Sequence, residues 1–327
     1  MQLEKKIKSV TIMIKMAGTA CNMNCDYCYE HITEDSHKNI YGGTGEDVID
    51  YLRQFVEYKH VFILFHGGEP FLAKYNEVRK CLEYIKQNFK YDYKIQFQTN
   101  GTLLNDEWIY LLRQYEPNIS LSISLDPRGN KDLRKSQGFE YRKIVKENLE
   151  KYSNSINNIG IVAVAHKYNL RCFETYIEEL IEMGIKSLTI NKYRGISEES
   201  EPFITEQEYV ELLKSVTLKW IQMGWYKKIN IQPLNALFSP RKNRLCIYLS
   251  DANKCSYFKT FYGKDEISDY CDHVIPKNFP KLDSKCLNCD IYEFCGGGCL
   301  VEFKDSTFCD ARRDLCEFVR RMKNESQ

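Results

Sequence analysis

The distribution of cysteine constrains this chain more than any other feature of its sequence. The chain has 14 cysteines among 327 residues, with three inside 21–28 and nine inside 246–316. The long stretch between these regions holds only Cys81 and Cys172. Both lie on helix-like segments, which predicts that they are small buried hydrophobic residues. The two dense regions therefore predict two separate metal-binding regions.

The amino terminus bears on the redox state of these thiols. The apolar run from Val10 to Met13 is soon interrupted by Lys15, whereas a secretory signal needs ~7–15 uninterrupted apolar residues. No stretch approaches the ~20 apolar residues that span a bilayer. We therefore expect a cytoplasmic protein without a membrane partner. Thiols stay reduced in that compartment, so metal ligation is favoured over disulfides.

Charge and aromatic content exclude two further classes. Lys and Arg total 46 against 45 for Asp and Glu, so the chain lacks the basic excess of a general nucleic-acid binder. The 23 Tyr and 17 Phe residues supply enough apolar surface to exclude disorder. At ~150 residues per domain, the length allows two domains.

Between the cysteine-rich regions, strand-like apolar runs alternate with amphipathic helical segments. The predicted strands are Val10–Met16, His60–Phe65, Lys94–Gln98, Ile119–Leu125, Ile159–Ala165 and Ile185–Ile190. The predicted helices are Glu46–Tyr58, Asn76–Asn88, Asp106–Tyr115, Phe139–Tyr152 and Leu170–Met183. This order predicts an α/β fold with a parallel sheet, either an open partial barrel or a doubly wound sheet. In both, functional residues lie at the carboxyl ends of the strands.

The first cysteine group closely follows the first predicted strand. Cys21, Cys25 and Cys28 can bind three irons of a cubane cluster and leave the fourth iron without a protein ligand. A zinc site is the alternative, and it would need His31 or His37 as a fourth ligand.

Polar and glycine-rich segments follow the next three predicted strands. Gly67, Gly68, Glu69 and Pro70 follow the second strand. Paired glycines permit a close approach to a ligand, and the Glu69 carboxylate can accept from an ammonium group. The third and fourth strands end in the segments Gln98–Gly101 and Ser122–Asp126.

The cysteine spacing, with Tyr27 before the third cysteine, resembles the radical S-adenosylmethionine (SAM) superfamily. The resemblance implies a partial (β/α)6 barrel and a 4Fe–4S cluster whose open iron is chelated by SAM. It also implies that the loop Gly67–Pro70 binds the SAM amino group. The remaining SAM contacts it implies are Tyr27, Asn100, Ser122, Ser124 and Arg134. The family usually has Gly-Pro after the aspartate, where this chain has Pro127-Arg128.

The carboxy-terminal cysteines resemble the SPASM domain, an extension of radical SAM enzymes that carries auxiliary clusters. The resemblance assigns one 4Fe–4S cluster to Cys246, Cys255, Cys271 and Cys299. It assigns the other to Cys286, Cys289, Cys295 and one late cysteine, either Cys309 or Cys316. We choose Cys309, because it precedes Asp310, a predicted N-cap of a final helix, and the last ligand in the family lies just ahead of such a helix. Cys316 would then be the spare thiol. A zinc ribbon is the alternative for this region. With the first cluster, the prediction is three 4Fe–4S clusters, or about twelve irons.

These resemblances together predict the domain plan and the reaction. We expect a radical SAM barrel at 1–200, a bridging helix or linker at 201–240 and a SPASM domain at 241–327. An external flavodoxin- or ferredoxin-type reductant would supply one electron, and cleaved SAM would abstract a hydrogen atom from a peptide or protein substrate. Asp272, next to Cys271, would be the general base. The net two-electron oxidation would install a thioether or carbon–carbon cross-link.

Two other functions compete with a maturase of ribosomally made peptides. His66 before Gly67 favours the peptide maturases, whereas Cys271-Asp272 is similar to anaerobic sulfatase maturases, which oxidise Cys or Ser to formylglycine. We expect no leader-binding domain before Cys21, so leader recognition would need another surface or a separate leader-peptide-binding protein. A non-catalytic iron–sulfur electron carrier is the third hypothesis, and the Gly67–Pro70 motif argues against it.

Overall fold

The computed structural model describes residues 9–28, 30, 42–194, 197–238, 258–264, 266–268, 283–299 and 303–325. Its strands are β1 Ser9–Ile14, β2 His60–Phe65, β3 Asp92–Thr99, β4 Ile119–Ser124, β5 Ile159–Ala165, β6 Ser187–Lys192, β7 Asn230–Gln232, β8 Phe258–Gly263 and β9 Glu266–Ser268. Its helices are α1 Gly45–Leu52, α2 Tyr75–Asn88, α3 Asp106–Arg113, α4 Tyr141–Tyr152, α5 Phe173–Glu182, α6 Glu206–Gln222, α7 Leu234–Phe238, α8 Ser284–Leu287, α9 Tyr292–Cys295 and α10 Phe308–Glu325.

The alternation of strands and helices predicted from the apolar pattern is confirmed. The second and fifth predicted strands have the observed bounds, and the other four differ at their ends by one or two residues. Strand β1 is buried at every position after Ser9, as expected for a strand covered on both faces of a parallel sheet. The mixed α/β class with parallel strands is therefore established.

The chain divides into two compact units. The first comprises Met1–Ser124, Lys135–Ile159 and Cys255–Val274. In it the strands are ordered β4-β3-β2-β1-β8-β9, and every neighbouring pair is parallel except β8 and β9. Stacked rings of Phe65 and Phe97, with centroids 4.5 Å apart, pack in its core.

The register of this unit brings its functional segments to one edge. Ile14 at the end of β1 pairs with Phe65 at the end of β2, and Phe65 pairs with Phe97 on β3. The loops after these strands therefore begin side by side. This is the edge at which parallel α/β sheets bind their ligands.

The second unit comprises Leu125–Arg134, Gly160–Lys254 and Ile275–Gln327. Its strands β5, β6 and β7 form parallel neighbours in that order. Helix α6 begins with a capping box in which the Thr205 hydroxyl accepts from the Glu208 N–H and the Glu208 carboxylate accepts from the Thr205 N–H. Such reciprocal capping satisfies N–H groups at the start of a helix.

The start of the final helix corrects one prediction. Asp310 lies in the first turn of α10 and is not its N-cap. The Thr307 carbonyl accepts from the Ala311 N–H, and the Asp305 carboxylate accepts from the Thr307 N–H at 2.9 Å. The helix therefore begins before Asp310, after the turn at Asp305, and Cys309 lies inside the helix.

Among the described residues, none of the helices combines the length and the apolar character that a bilayer-spanning segment requires.

Candidate cluster and SAM site

The loop after β1 carries the first three cysteines. All three side chains are half-buried. The Cys28 N–H donates to the Cys25 carbonyl at 3.1 Å, which closes the turn between them. Two N–H donors approach the Cys21 sulfur, the Met23 amide at 3.4 Å and the Asn100 side-chain amide at 3.7 Å. N–H donors directed at a cysteine sulfur favour the thiolate form that binds iron.

The thiols of this loop act on one another electrostatically. Burial raises the pKa of Cys28 to about 12, and the neighbouring Cys25, Glu30 and Cys21 add to the rise. Burial also raises the pKa of Cys21, and the Met23 and Asn100 donors oppose that rise. Without a cluster, Cys21 and Cys28 are therefore protonated at neutral pH, and cluster binding must displace these protons.

Within the described residues, no three His, Cys, Asp or Glu side chains surround a position for a single metal ion. A cubane cluster needs no such position, because each thiolate binds a different iron. The donor set of three thiols and two N–H groups fits an iron–sulfur cluster. His31 and His37, the ligands of the zinc alternative, lie outside the described residues.

The glycine-rich loop after β2 docks on the backbone of the cysteine loop. The Gly68 N–H donates to the Gly18 carbonyl at 3.0 Å, and the Glu69 N–H donates to the Ala20 carbonyl at 2.8 Å. A Cβ on Gly68 would lie 2.1 Å from the Ala20 oxygen, and Gly67 has φ +115°. The paired glycines thus serve a close approach to the cysteine loop, in addition to the predicted approach to a ligand.

We expect Gly68→Ala to disable SAM cleavage, because its Cβ would force the two loops apart. A displacement of roughly 1 Å in a reacting geometry costs about a hundredfold in rate. The measurement is the rate of 5′-deoxyadenosine release by the reduced holoenzyme. Gly184→Ala is the control, since an added Cβ at Gly184 has no atom within 4 Å, although its positive φ of 76° strains a side chain there. Full activity of the Gly68 variant would refute the docking argument.

Glu69 connects the glycine-rich loop to the end of β3. Its carboxylate is fully buried and accepts from the Thr99 hydroxyl at 2.6 Å, the Phe71 N–H at 3.1 Å and the Asn100 N–H at 2.7 Å. These bonds hold the loops after β2 and β3 in one arrangement. The contact of Glu69 with an ammonium group remains a prediction. Pro70 follows at the first position of a short 3₁₀ helix.

The other predicted SAM contacts lie where their strands end. Asn100 is buried, and its amide also donates to Asn22 Oδ1 at 2.8 Å, which ties it to the cysteine loop. On β4, Ser122 is buried, and Ser124 accepts from Gln98 Nε2 at 2.9 Å. Tyr27 is half-buried on the cysteine loop. Arg134 is buried in the second unit, where its N–H donates to Asp132. Their contacts with SAM remain predictions.

A buried ion pair that the sequence analysis missed encloses the cysteine loop. Lys15 Nζ lies 2.5 Å from Glu30 Oε1, with the two side chains 0% and 3% exposed. Lys15 directly follows β1, and Glu30 lies two residues after Cys28. The ammonium also lies 4.8 Å from the centre of the Tyr262 ring. The pair fixes both ends of the loop that carries the cysteines.

Four carboxy-terminal cysteines lie near enough for their thiols to act on one another's pKa. Burial raises the pKa of Cys286 and of Cys295. The neighbouring Cys309 raises both pKa values further, and Cys289 also raises that of Cys286. Cys316 is buried in one cluster with Cys295, against which Cys289 also packs, and the groups that act on the pKa of Cys316 are charged side chains. Cys309 as the fourth ligand stays a prediction, with Cys316 as its alternative.

The first proposed auxiliary cluster is described only in part. Of its four predicted ligands, Cys299 is described, and its side chain is half-buried. The other three ligands and the predicted general base lie outside the described residues: Cys246, Cys255, Cys271 and Asp272. The ligand sets of both auxiliary clusters and the general base therefore remain predictions.

The fold and the site together define a class: parallel α/β proteins with a three-cysteine loop after the first strand. The family model of the radical SAM superfamily matches residues 17–180, half of the chain. The chain belongs to the radical SAM superfamily. The predicted family is confirmed.

Individual relatives span nearly the whole chain. The cysteine-type anaerobic sulfatase-maturating enzyme of Clostridium perfringens (strain 13 / Type A) is 23% identical over 331 residues, covering 89% of this chain and 88% of the relative. The structure of native anSMEcpe with bound AdoMet and Cp18Cys peptide has a TM-score of 0.79 at 17% identity, over 98% of this chain and 100% of that one.

A second solved structure has a similar fold. The Streptococcus suis protein SuiB bound to precursor peptide SuiA has a TM-score of 0.62 at 17% identity, over 92% of this chain and 76% of that one. These likenesses show the fold: the mixed α/β architecture of radical SAM partial-barrel structures, here with a cysteine-rich carboxy-terminal region. A radical SAM enzyme implies a 4Fe–4S cluster and SAM.

Proposed function

We propose that this enzyme is a maturase of ribosomally made peptides, which removes two hydrogen atoms from its substrate and installs a thioether or carbon–carbon cross-link. The observation that carries the proposal is the second cysteine group, Cys286, Cys289, Cys295 and Cys309, in addition to the SAM-binding cysteine loop. Enzymes that only abstract and return a hydrogen atom need no such group, whereas a net two-electron oxidation needs an acceptor for the second electron.

Each group of residues has a role in this proposal. Cys21, Cys25 and Cys28 would hold the cluster that chelates SAM, and the Gly67–Pro70 loop would orient the SAM amino group. The carboxy-terminal thiols would hold two auxiliary clusters. When bound, SAM and the clusters supply hydrogen-atom abstraction and one-electron transfer. Asp272 would take the proton that the substrate releases.

Two comparisons support a peptide as the substrate. SuiB binds a precursor peptide, and anSMEcpe binds the Cp18Cys peptide. A flavodoxin- or ferredoxin-type reductant and a separate leader-peptide-binding protein are the further partners of the proposal. We also propose that the protein acts in the cytoplasm. The proposed domain boundaries lie after residues 200 and 240.

Anaerobic turnover tests this function. The reduced holoenzyme with SAM should release 5′-deoxyadenosine, and the rate should rise when the peptides of neighbouring open reading frames are added one at a time. Failure to release 5′-deoxyadenosine under any condition would refute the proposal and favour an electron carrier.

The second candidate function is oxidation of Cys or Ser to formylglycine in a sulfatase. The extent of the Clostridium perfringens relative, which aligns over 89% of this chain, favours it. A sulfatase peptide with a Cys or Ser target distinguishes the two, because formylglycine carries an aldehyde that a hydrazine reagent captures. A cross-linked peptide carries none.

We expect Cys309→Ala to lower bound iron by about four atoms per chain, because a 4Fe–4S cluster needs its four thiolates. Cys316→Ala is the matched control on the same helix, and it should leave the iron content unchanged. The measurement is iron per chain after anaerobic reconstitution. The reverse result, with iron lost only in the Cys316 variant, would contradict the proposed ligand set.

We expect Asp272→Asn to cleave SAM at the normal rate and to form less product by about a hundredfold, since a positioned general base contributes 10²–10⁴-fold. The readout is the ratio of product to 5′-deoxyadenosine. A ratio equal to that of the unmodified enzyme would eliminate Asp272 as the base.

A further inference from the structure

The second unit contains a buried network of four charged side chains. Lys192 Nζ lies 3.0 Å from Glu206 Oε2 and 3.2 Å from Asp305 Oδ2. Arg312 Nη2 forms an ion pair with Glu206 Oε1. Each of the four side chains is 9% exposed or less. The two positive and two negative charges of these side chains thus cancel within the network.

Arg312 has more donors than this network uses. In the part of the chain that the structure describes, its Nε and Nη1 are buried and have no hydrogen-bond partner. The guanidinium is planar and directs its donors in a fixed fork, so the two groups cannot rotate to find another acceptor. Buried polar groups are nearly always hydrogen-bonded, and an exception needs an explanation.

The guanidinium of Arg312 packs near the second cysteine group through the ring of Phe308. The guanidinium carbon lies 5.3 Å from the centre of the Phe308 ring, and Phe308 packs in one buried cluster with Cys295. The charge of Arg312 also reaches the Cys295 thiol, whose pKa it lowers against the rise that burial causes. A sulfur-rich anion bound by these cysteines would therefore be within the reach of Arg312.

We propose that Arg312 is a positioning residue of the auxiliary cluster held by Cys286, Cys289, Cys295 and Cys309, to which its Nε–H and Nη1–H donate hydrogen bonds. The inference rests on the proposed function, which places a cluster at these cysteines. Glu206 orients the guanidinium, and Lys192 at the end of β6 holds Glu206.

Such donors would act on the reduction potential of the cluster. Hydrogen bonds to cluster sulfurs and nearby positive charge stabilise the reduced form, which carries one more negative charge. Arg312 therefore raises the potential and makes this cluster a better acceptor of an electron. That role suits the oxidative reaction proposed above.

The test is a redox titration of the holoenzyme followed by electron paramagnetic resonance. The signal to follow is the one that Cys286→Ala removes, which assigns it to this cluster. In Arg312→Gln we expect the equilibrium constant for reduction to fall about tenfold, which is about 59 mV for one electron. Arg312→Lys should lower the reduction potential less than Arg312→Gln does, because Lys keeps the positive charge but loses the forked donors of the guanidinium.

Two further variants control for a general effect of charge and for a loss of folding. Arg321→Gln removes one exposed positive charge from the same helix and should leave the potential unchanged. Glu206→Gln/Arg312→Gln avoids leaving a buried carboxylate without its partner, so it preserves the fold and should shift the potential as Arg312→Gln does.

A failure of the inference on Arg312 can be distinguished from a failure of the proposed cluster. An unchanged potential in the folded, fully loaded double variant would overturn the role of Arg312 alone. If Cys286→Ala loses neither iron nor signal, the ligand set is wrong, and the proposed cluster and this inference fall together.

Discussion

Replacement of Cys21, Cys25 and Cys28 by alanine is expected to abolish SAM cleavage and to lower bound iron by about four atoms per chain. The three thiols occupy one loop after β1, and their mutual effects on pKa place them close together. Without them no iron is left at the site that chelates SAM. The proposed auxiliary clusters should survive, because the cysteines proposed to bind them are other residues, between 246 and 309.

The measurements are iron per chain and 5′-deoxyadenosine released by the reduced protein. Cys172→Ala is the thiol control: Cys172 is half-buried in a short 3₁₀ helix before α5, and its loss should change neither quantity. Release of 5′-deoxyadenosine by the triple variant would contradict the assignment of the SAM-binding cluster.

The second large effect is expected for Lys15→Met. The substitution leaves the Glu30 carboxylate, 3% exposed, without the ammonium that lies 2.5 Å away. Breaking a buried ion pair by removing one partner costs about 3–5 kcal/mol. Because the pair fixes both ends of the cysteine loop, we also expect the variant to retain less iron at the SAM-binding cluster.

Thermal unfolding and iron content measure this effect. The double variant Lys15→Met/Glu30→Gln should recover much of the loss, because it leaves no buried charge unpaired. Lys80→Met, which removes an exposed ion pair with Glu77 on α2, should leave the midpoint temperature unchanged. A Lys15→Met protein as stable as the parent would show that the buried pair does not hold the loop.

The sequence predicted the strands of the barrel closely, and the reason is physical. Parallel strands covered on both faces are continuous apolar runs, such as His60–Phe65, so their bounds are visible without a structure. The functional segments were predicted because they follow strand ends, which meet at one edge in parallel folds. The three-cysteine loop follows β1 and was predicted for the same reason, while its cluster stays a prediction.

Tertiary contacts between charged residues could not be predicted in this way. Lys15 and Glu30 lie on either side of an irregular loop, and no periodicity links them. The donors to the Glu69 carboxylate are clear only when β3 places Thr99 and Asn100 beside the glycine-rich loop. Asp310 was assigned as an N-cap because aspartate is common there, whereas Asp305 forms the turn that starts the helix.

The proposed reaction oxidises a peptide by two electrons and links two of its residues. Tandem mass spectrometry of peptide products after anaerobic reaction with SAM tests this reaction directly. We expect a peptide lighter by two hydrogen atoms, with a segment that does not fragment between the linked residues. A peptide that is unchanged while 5′-deoxyadenosine accumulates, or one that carries an aldehyde on a single residue, would contradict it.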